Sequence, residues 1–250
     1  MISLNQGEGI RTYLEEVHAL QSRVIHDQEE TLIEVAGRMA ETITAGGRLF
    51  IFGTGHSHLM AEEAFYRAGG LAPVVPIFSA TLMLHQNPER GSKLERSEGL
   101  AAPLLEWYGP EAGEMLFIFS NSGVNCLPVE MALEAKARGL TVVAVLSRAY
   151  ARRAPLSSLG KRLDEVADLV IDNGGAPGDA LVSLNGSGWR VGPTSTVVGA
   201  LIWNALVAET AACLQARGLE VPVFASLNME GAEEHNAALL DRWRPRNPHL

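Results

Sequence analysis

The chain has 250 residues, 47% of them hydrophobic and 20% charged, the make-up of a globular protein with room for a sizeable core. Its formal charge of −9 argues against a protein built to grip nucleic acid or anionic lipid, since both normally require a basic face. The two cysteines, Cys126 and Cys213, sit in helical patterns and give no disulfide framework. With no signal-peptide pattern and no unbroken apolar run long enough to span a bilayer, the expected location is the cytoplasm, with no membrane partner.

In chain order, Ile10, Leu14, Val17, Val24, Leu32, Val35, Met39 and Ile43 keep helical spacing, so residues 9–45 read as one long helix or two. Ala45-Gly46-Gly47 ends it. A strand over about 48–52 is followed by a helix from Ser57 to Ala68. Residues 73–78 form a second strand, whose prolines favour an edge. The polar crossover 79–112 carries His85, Glu95, Arg96 and Glu98, and a helix over 100–107. Further strands are expected at 115–119, 141–146 and 169–171, with a short one at 180–184, and a helix at 128–138. Residues 149–163 read as irregular and 173–179 as a turn. Pro193 and the hydroxyls of Thr194, Ser195 and Thr196 open an apolar helix to Arg217, and a last helix covers 231–243. Strands alternating with helices define an α/β chain with a parallel sheet covered on both faces.

Two loops carry the chemistry. Gly53-Thr54-Gly55-His56-Ser57 and Ser120-Asn121-Ser122-Gly123-Val124-Asn125 each follow a continuous apolar strand and lead into a helix. Such a turn collects free amides and the positive helix end at one spot, which makes it an anion pocket. The first loop is not a dinucleotide fingerprint, because His58 replaces the third glycine and no acidic residue ends the next strand. Neither loop has the lysine of a P-loop. The remaining pocket is one of neutral donors, Ser57, Ser120, Ser122, Asn125 and the Thr194–Thr196 cluster, suited to a phosphate monoester and to no cofactor. The competing reading is that these serines merely cap helices.

Strand-Gly53-x-Gly55-x-Ser57 followed by strand-Ser120-x-Ser122-Gly123 resembles the sugar isomerase (SIS) domain of phosphosugar isomerases and binding proteins. The leading helix and first loop are similar to the phosphoheptose isomerase branch. The segments His85–Gly99, Gly192–Thr196 and Pro222–Asn228 resemble a bacterial family of stand-alone SIS proteins, so the likeness spans nearly the whole chain. It implies a single SIS domain over 1–250, with a helical segment about 1–45, an α/β core about 46–220 and a C-terminal helix about 230–243. The implied fold is a three-layer αβα sandwich with a mainly parallel five-stranded sheet. The implied ligand is a sugar phosphate, held by Ser120, Asn121, Ser122, Gly123 and Asn125, with Gly55, His56 and Ser57 nearer the sugar and Thr194 and Ser195 beside it. Asn125 departs from the family's usual Ser or Thr. The resemblance further implies a homodimer or homotetramer whose sites borrow residues from a neighbouring subunit.

Aldose–ketose isomerisation needs a base near C1 and C2 and an acid to open the ring. The candidates are Glu63 in the helix after the first loop, and Glu230 and His235 before and within the last helix. In the phosphoheptose isomerase pattern the glutamate base falls on Arg67 and the metal-binding histidine on Glu63, which speaks against heptose isomerisation. His56 and His58, two apart with no third ligand, point to packing or substrate contact, and no metal is expected. Glu95–Gly99 reads equally as a lid or as a salt-bridged helix cap. An etherase-like lyase and a non-catalytic phosphosugar sensor remain open beside the isomerase.

Overall fold

The computed structural model describes residues 7–184 and 187–250. Five strands, β1 (Leu49–Gly53), β2 (Val74–Pro76), β3 (Met115–Phe119), β4 (Thr141–Leu146) and β5 (Leu169–Asp172), form one sheet in the order β2-β1-β3-β4-β5. Every pairing is parallel. The proline-bearing β2 takes an edge, where Pro76 interrupts no second ladder.

Alternation along the strands explains the layers. Leu49, Ile51, Met115, Phe117, Val143 and Val145 point to one face. There they pack with α1 (Glu8–Thr44), α2 (Leu59–Ala64) and α8 (Ser195–Ala216). Phe50, Phe52, Leu116, Ile118, Val142 and Ala144 point to the other face, toward α4 (Ala101–Tyr108), α5 (Cys126–Ala137) and α7 (Leu163–Val166). Short α3 (Pro88–Leu94) and α6 (Arg148–Ala151) lie in the crossovers, and α9 (Ala232–Trp243) packs through Leu239 and Trp243 with Ala72 and Phe224. Among the described residues, α8 alone is long and apolar enough to cross a membrane by length and composition. Here it is a core helix, with Ile202, Trp203 and Leu206 buried.

The leading region is one helix rather than two, and its expected first residues, 1–6, lie outside the described residues. The helix expected over 57–68 is shorter. A 3₁₀ turn spans Gly55–His58 and α2 stops at Ala64, because the following segment pairs elsewhere. Gly69 N donates to Phe224 O at 2.8 Å and Phe224 N to Gly70 O at 2.9 Å, so a tertiary ladder overrides helical propensity. The region expected to be irregular is so over 152–162, between α6, whose last residues enter it, and α7, which begins at Leu163. The short strand expected at 180–184 is β6 (Val182–Ser183), paired antiparallel with β7 (Arg190–Val191) outside the main sheet.

Candidate functional site

β1 and β3 run side by side from Leu49↔Met115 to Gly53↔Phe119, so both hydroxyl-and-glycine loops leave the same carboxyl edge. The strand order reverses between these two strands, and a parallel sheet opens a crevice at such a point.

The first loop is tightly folded. A Cβ on Gly53 would stand 2.3 Å from Ser57 O, so only glycine lets the turn close over the strand end. Ser57 N donates to Thr54 O at 3.0 Å. The buried His58 braces the turn from behind, with Nδ1 on Gly55 O and Nε2 3.2 Å from Glu62 Oε1. It is a packing histidine.

In the second loop, Gly123 has φ +61°, a conformation other residues adopt with strain, and Leu163 N donates to its carbonyl at 2.8 Å. Among the described residues, the backbone N–H groups from Asn121 to Cys126 donate to no acceptor. They gather at the start of α5, where the helix end adds positive potential. Asn121 Oδ1 accepts from Asn173 Nδ2 at 2.9 Å, while its buried Nδ2 is unpaired. Ser157 Oγ is likewise buried without a partner. Asn121 and Ser157 both line the same cavity.

The two loops line one cavity of about 670 Å³, together with the crossover after α3 and the segment after α6. Gly55, His56, Ser57, Ser120, Asn121, Ser122, Asn125 and Ser195 are on its wall. Gly123 stands behind the loop against Leu146, and Thr194 is buried beneath the start of α8.

Two carboxylates enter the same cavity, Glu95 and Asp179. Thr54 Oγ1 donates to Glu95 Oε2 at 2.8 Å, and Asn125 Nδ2 donates to Glu95 Oε1 at 3.0 Å. The Asn125 amide is thus engaged by a carboxylate instead of standing free for a phosphate. Asp179, at φ +57°, accepts from Thr194 N at 3.1 Å, Ser195 N at 2.9 Å, Thr194 Oγ1 at 3.2 Å and Ser195 Oγ at 2.5 Å. The hydroxyl cluster expected to open α8 by itself is closed by an acidic side chain from the preceding turn.

The expected acid–base residues lie elsewhere in this chain. Glu63 pairs with Arg67 and accepts from Asn204 Nδ2 at 3.1 Å, over a separate groove lined by Leu59, Met60, Glu62, Thr196 and Ala200. Glu230 is exposed, and His235 Nε2 bonds Val223 O at 2.8 Å. None of the three lines the cavity. The crossover is pinned at both ends of the stretch read as a lid or a cap. Leu127 N donates to Glu95 O at 3.0 Å, Glu130 accepts from Gly99 N at 2.7 Å, and Ser158 bonds Glu98. Among the described residues there is no group of three His, Cys, Asp or Glu placed to hold a metal ion.

A parallel sheet with an amide-rich loop and a serine-lined cavity at its switch point defines an α/β domain with a candidate anion site. The SIS domain profile matches residues 12–147, more than half of the chain, and the chain belongs to that family. It is 40% identical over 242 residues to a UPF0309 protein of Geobacillus thermodenitrificans, covering 96% of this chain and 97% of the relative. It is 44% identical over 223 residues to a UPF0309 protein of Brucella anthropi, covering 88% and 91%. Among solved structures it resembles a phosphoheptose isomerase from Francisella tularensis at 16% identity and a TM-score of 0.54, over 84% of this chain and 98% of that one. Phosphoheptose isomerase from Neisseria gonorrhoeae gives 16% identity and 0.55, over 82% and 97%. At such identity the likeness is one of fold.

Proposed function

We propose that the chain binds a phosphorylated sugar and isomerises it, as an aldose/ketose or amino-sugar phosphate, by proton transfer through an enediol. One observation carries this reading: Asn121, Ser122, Val124, Asn125 and Cys126, whose amides are unpaired, line a cavity of about 670 Å³ together with Ser120. That volume falls in the range of about 300–1,000 Å³ usual for small-molecule sites. Neutral donors and a helix end are sufficient to hold a phosphate monoester. Arg96, His56, Tyr150 and Glu95 line the rest of the wall and supply the polar groups that hydroxyls require. Membership in the SIS family and the fold shared with phosphoheptose isomerases support the same ligand class.

The active form in this reading is a cytoplasmic homodimer or homotetramer. Ile10, Leu14 and Ile25 lie exposed on α1 and offer an apolar face to a second copy. In this reading Glu230 and His235, which lie off their own chain's cavity, would serve only a neighbour's ligand.

The test is a thermal-shift screen with phosphorylated hexoses, heptoses and amino sugars against their unphosphorylated forms. A ligand at about 100 times its Kd adds about 2.7 kcal/mol to the folded state. Stabilisation by a sugar phosphate, reduced in Ser122→Ala, is the expected result; no shift with any sugar phosphate overturns the reading. Product analysis then separates isomerisation from elimination, and binding without C2 proton exchange identifies a sensor.

A further inference from the structure

We infer that Glu95 is the base that takes the C2 proton of the bound sugar phosphate, an inference that rests on the function proposed above. Its carboxylate is held from two sides. Thr54, in the loop after β1, donates to Oε2 at 2.8 Å, and Asn125, in the loop after β3, donates to Oε1 at 3.0 Å. The side chain therefore bridges the two loops at the switch point, and the backbone is fixed as well, since Leu127 N donates to Glu95 O at 3.0 Å. The side chain is 15% exposed, and it lines the cavity.

A carboxylate accepts about four hydrogen bonds. Here Oε1 receives Asn125 and also Arg96 Nη1 at 2.9 Å, while Oε2 receives Thr54. Oε2 is the freer oxygen. Asp179, the other carboxylate on the wall, is committed to the amides and hydroxyls of Thr194 and Ser195. Glu63 is held outside by Arg67 and Asn204. With the phosphate on the second loop, Glu95 is the cavity carboxylate with an oxygen left for the sugar carbons.

The step balances without a co-reactant beyond water. With the ring open, Oε2 takes the proton from C2, and the C–H electron pair becomes the C1=C2 double bond. The aldehyde oxygen takes a proton from water and becomes the enediol hydroxyl on C1. Glu95 then returns a proton to C1 while the C2 hydroxyl gives its proton back to solvent, leaving the ketose.

The experiment follows deuterium wash-in. The whole chain is incubated in D₂O with the sugar phosphate that gives the largest thermal shift, and label at C1 and C2 is read by NMR. Glu95→Gln is expected to keep the thermal shift and to lose exchange by about 100-fold or more, the usual weight of a positioned base. Glu95→Asp, which draws the carboxylate back by one methylene, is expected to fall between the two. Glu98→Gln, whose side chain is not on the cavity wall, is the control and keeps full exchange. Undiminished exchange in Glu95→Gln overturns the assignment and leaves the ligand reading intact. So does a wild-type chain that shifts with ligand and never exchanges. Should Glu95→Gln not fold, wild-type exchange rates in Glu95→Asp overturn the assignment. A wild-type chain with neither shift nor exchange removes the ligand reading and this inference together.

Discussion

Arg48 and Glu114 meet at the amino edge of the sheet, immediately before β1 and β3, in a two-point grip: Nε to Oε1 at 2.7 Å and Nη2 to Oε2 at 2.8 Å. Their side chains are 4% and 3% exposed. Arg246 adds a second cation, Nη2 to Oε1 at 3.0 Å, and Arg48 N and Glu111 N donate to the same carboxylate. Strand starts and the segment after α9 are therefore tied at one acidic side chain.

Glu114→Ala strands the Arg48 guanidinium in the interior. The expected loss is about 3–5 kcal/mol of folding stability, measured from urea unfolding. A loss below about 1 kcal/mol would show that water replaces the partner.

Asp179 holds the start of α8 and places negative charge on the cavity wall. Asp179→Ala removes this cap and should lower stability by about 1–2 kcal/mol. It also uncovers the amides of Thr194 and Ser195. Titration should show affinity for a sugar bisphosphate rising relative to the monophosphate. An unchanged ratio would mean that the carboxylate only caps the helix.

Ser122→Ala and Asn125→Ala should separate anchoring from chemistry. A hydrogen bond to a charged group is worth about 1.5–3 kcal/mol, so Ser122→Ala should weaken sugar-phosphate affinity by about tenfold or more. Asn125 donates to Glu95, and its loss should slow C2 exchange while phosphate affinity stays within about threefold. Equal losses of affinity in both variants would return Asn125 to the phosphate.

His249 gives a pH dependence. Burial lowers its pKa from 6.5, against a smaller opposing pull from the Pro76 carbonyl, and Nε2 stands 2.9 Å from Tyr108 Oη. Below the ordinary value the unfolded chain binds the proton more readily than the folded one. The contribution of His249 is then complete above about pH 6.5 and declines as pH falls toward the lowered folded value. Thermal midpoints between about pH 7.5 and 5.5 should drop less in His249→Phe than in wild type; parallel drops would assign the acid sensitivity to other groups.

The strands β1, β3 and β4 were legible because a sheet covered on both faces demands unbroken apolar runs such as Leu49–Phe52 and Met115–Phe119. The loops after β1 and β3 were legible as strand-to-helix turns for a related reason, since glycine and small hydroxyls directly after a buried strand end it and open a helix. Glu95 lies in a stretch conspicuous for its charge, yet nothing local says that it bonds Thr54 and Asn125, residues 41 and 30 positions away. Asp179 was read only as part of a turn, and its hold on α8 depends on how that turn folds back. Helix α2 was overextended because the pairing of Gly69 and Gly70 with Phe224 is invisible in the 57–68 window. Long-range pairing, not propensity, set those features.

Glu130 projects from α5 and closes the start of α4, accepting from Gly99 N at 2.7 Å and from Leu100 N and Ala101 N at 3.2 Å. The crossover is thus clamped to the very helix whose amino end lines the cavity. Little ordering entropy remains to oppose association. Calorimetry should see a modest heat-capacity change, proportionate to the area covered, without the signature of a folding loop. Under the proposed function, a receptor clamped in this way should register even a bare phosphate ion.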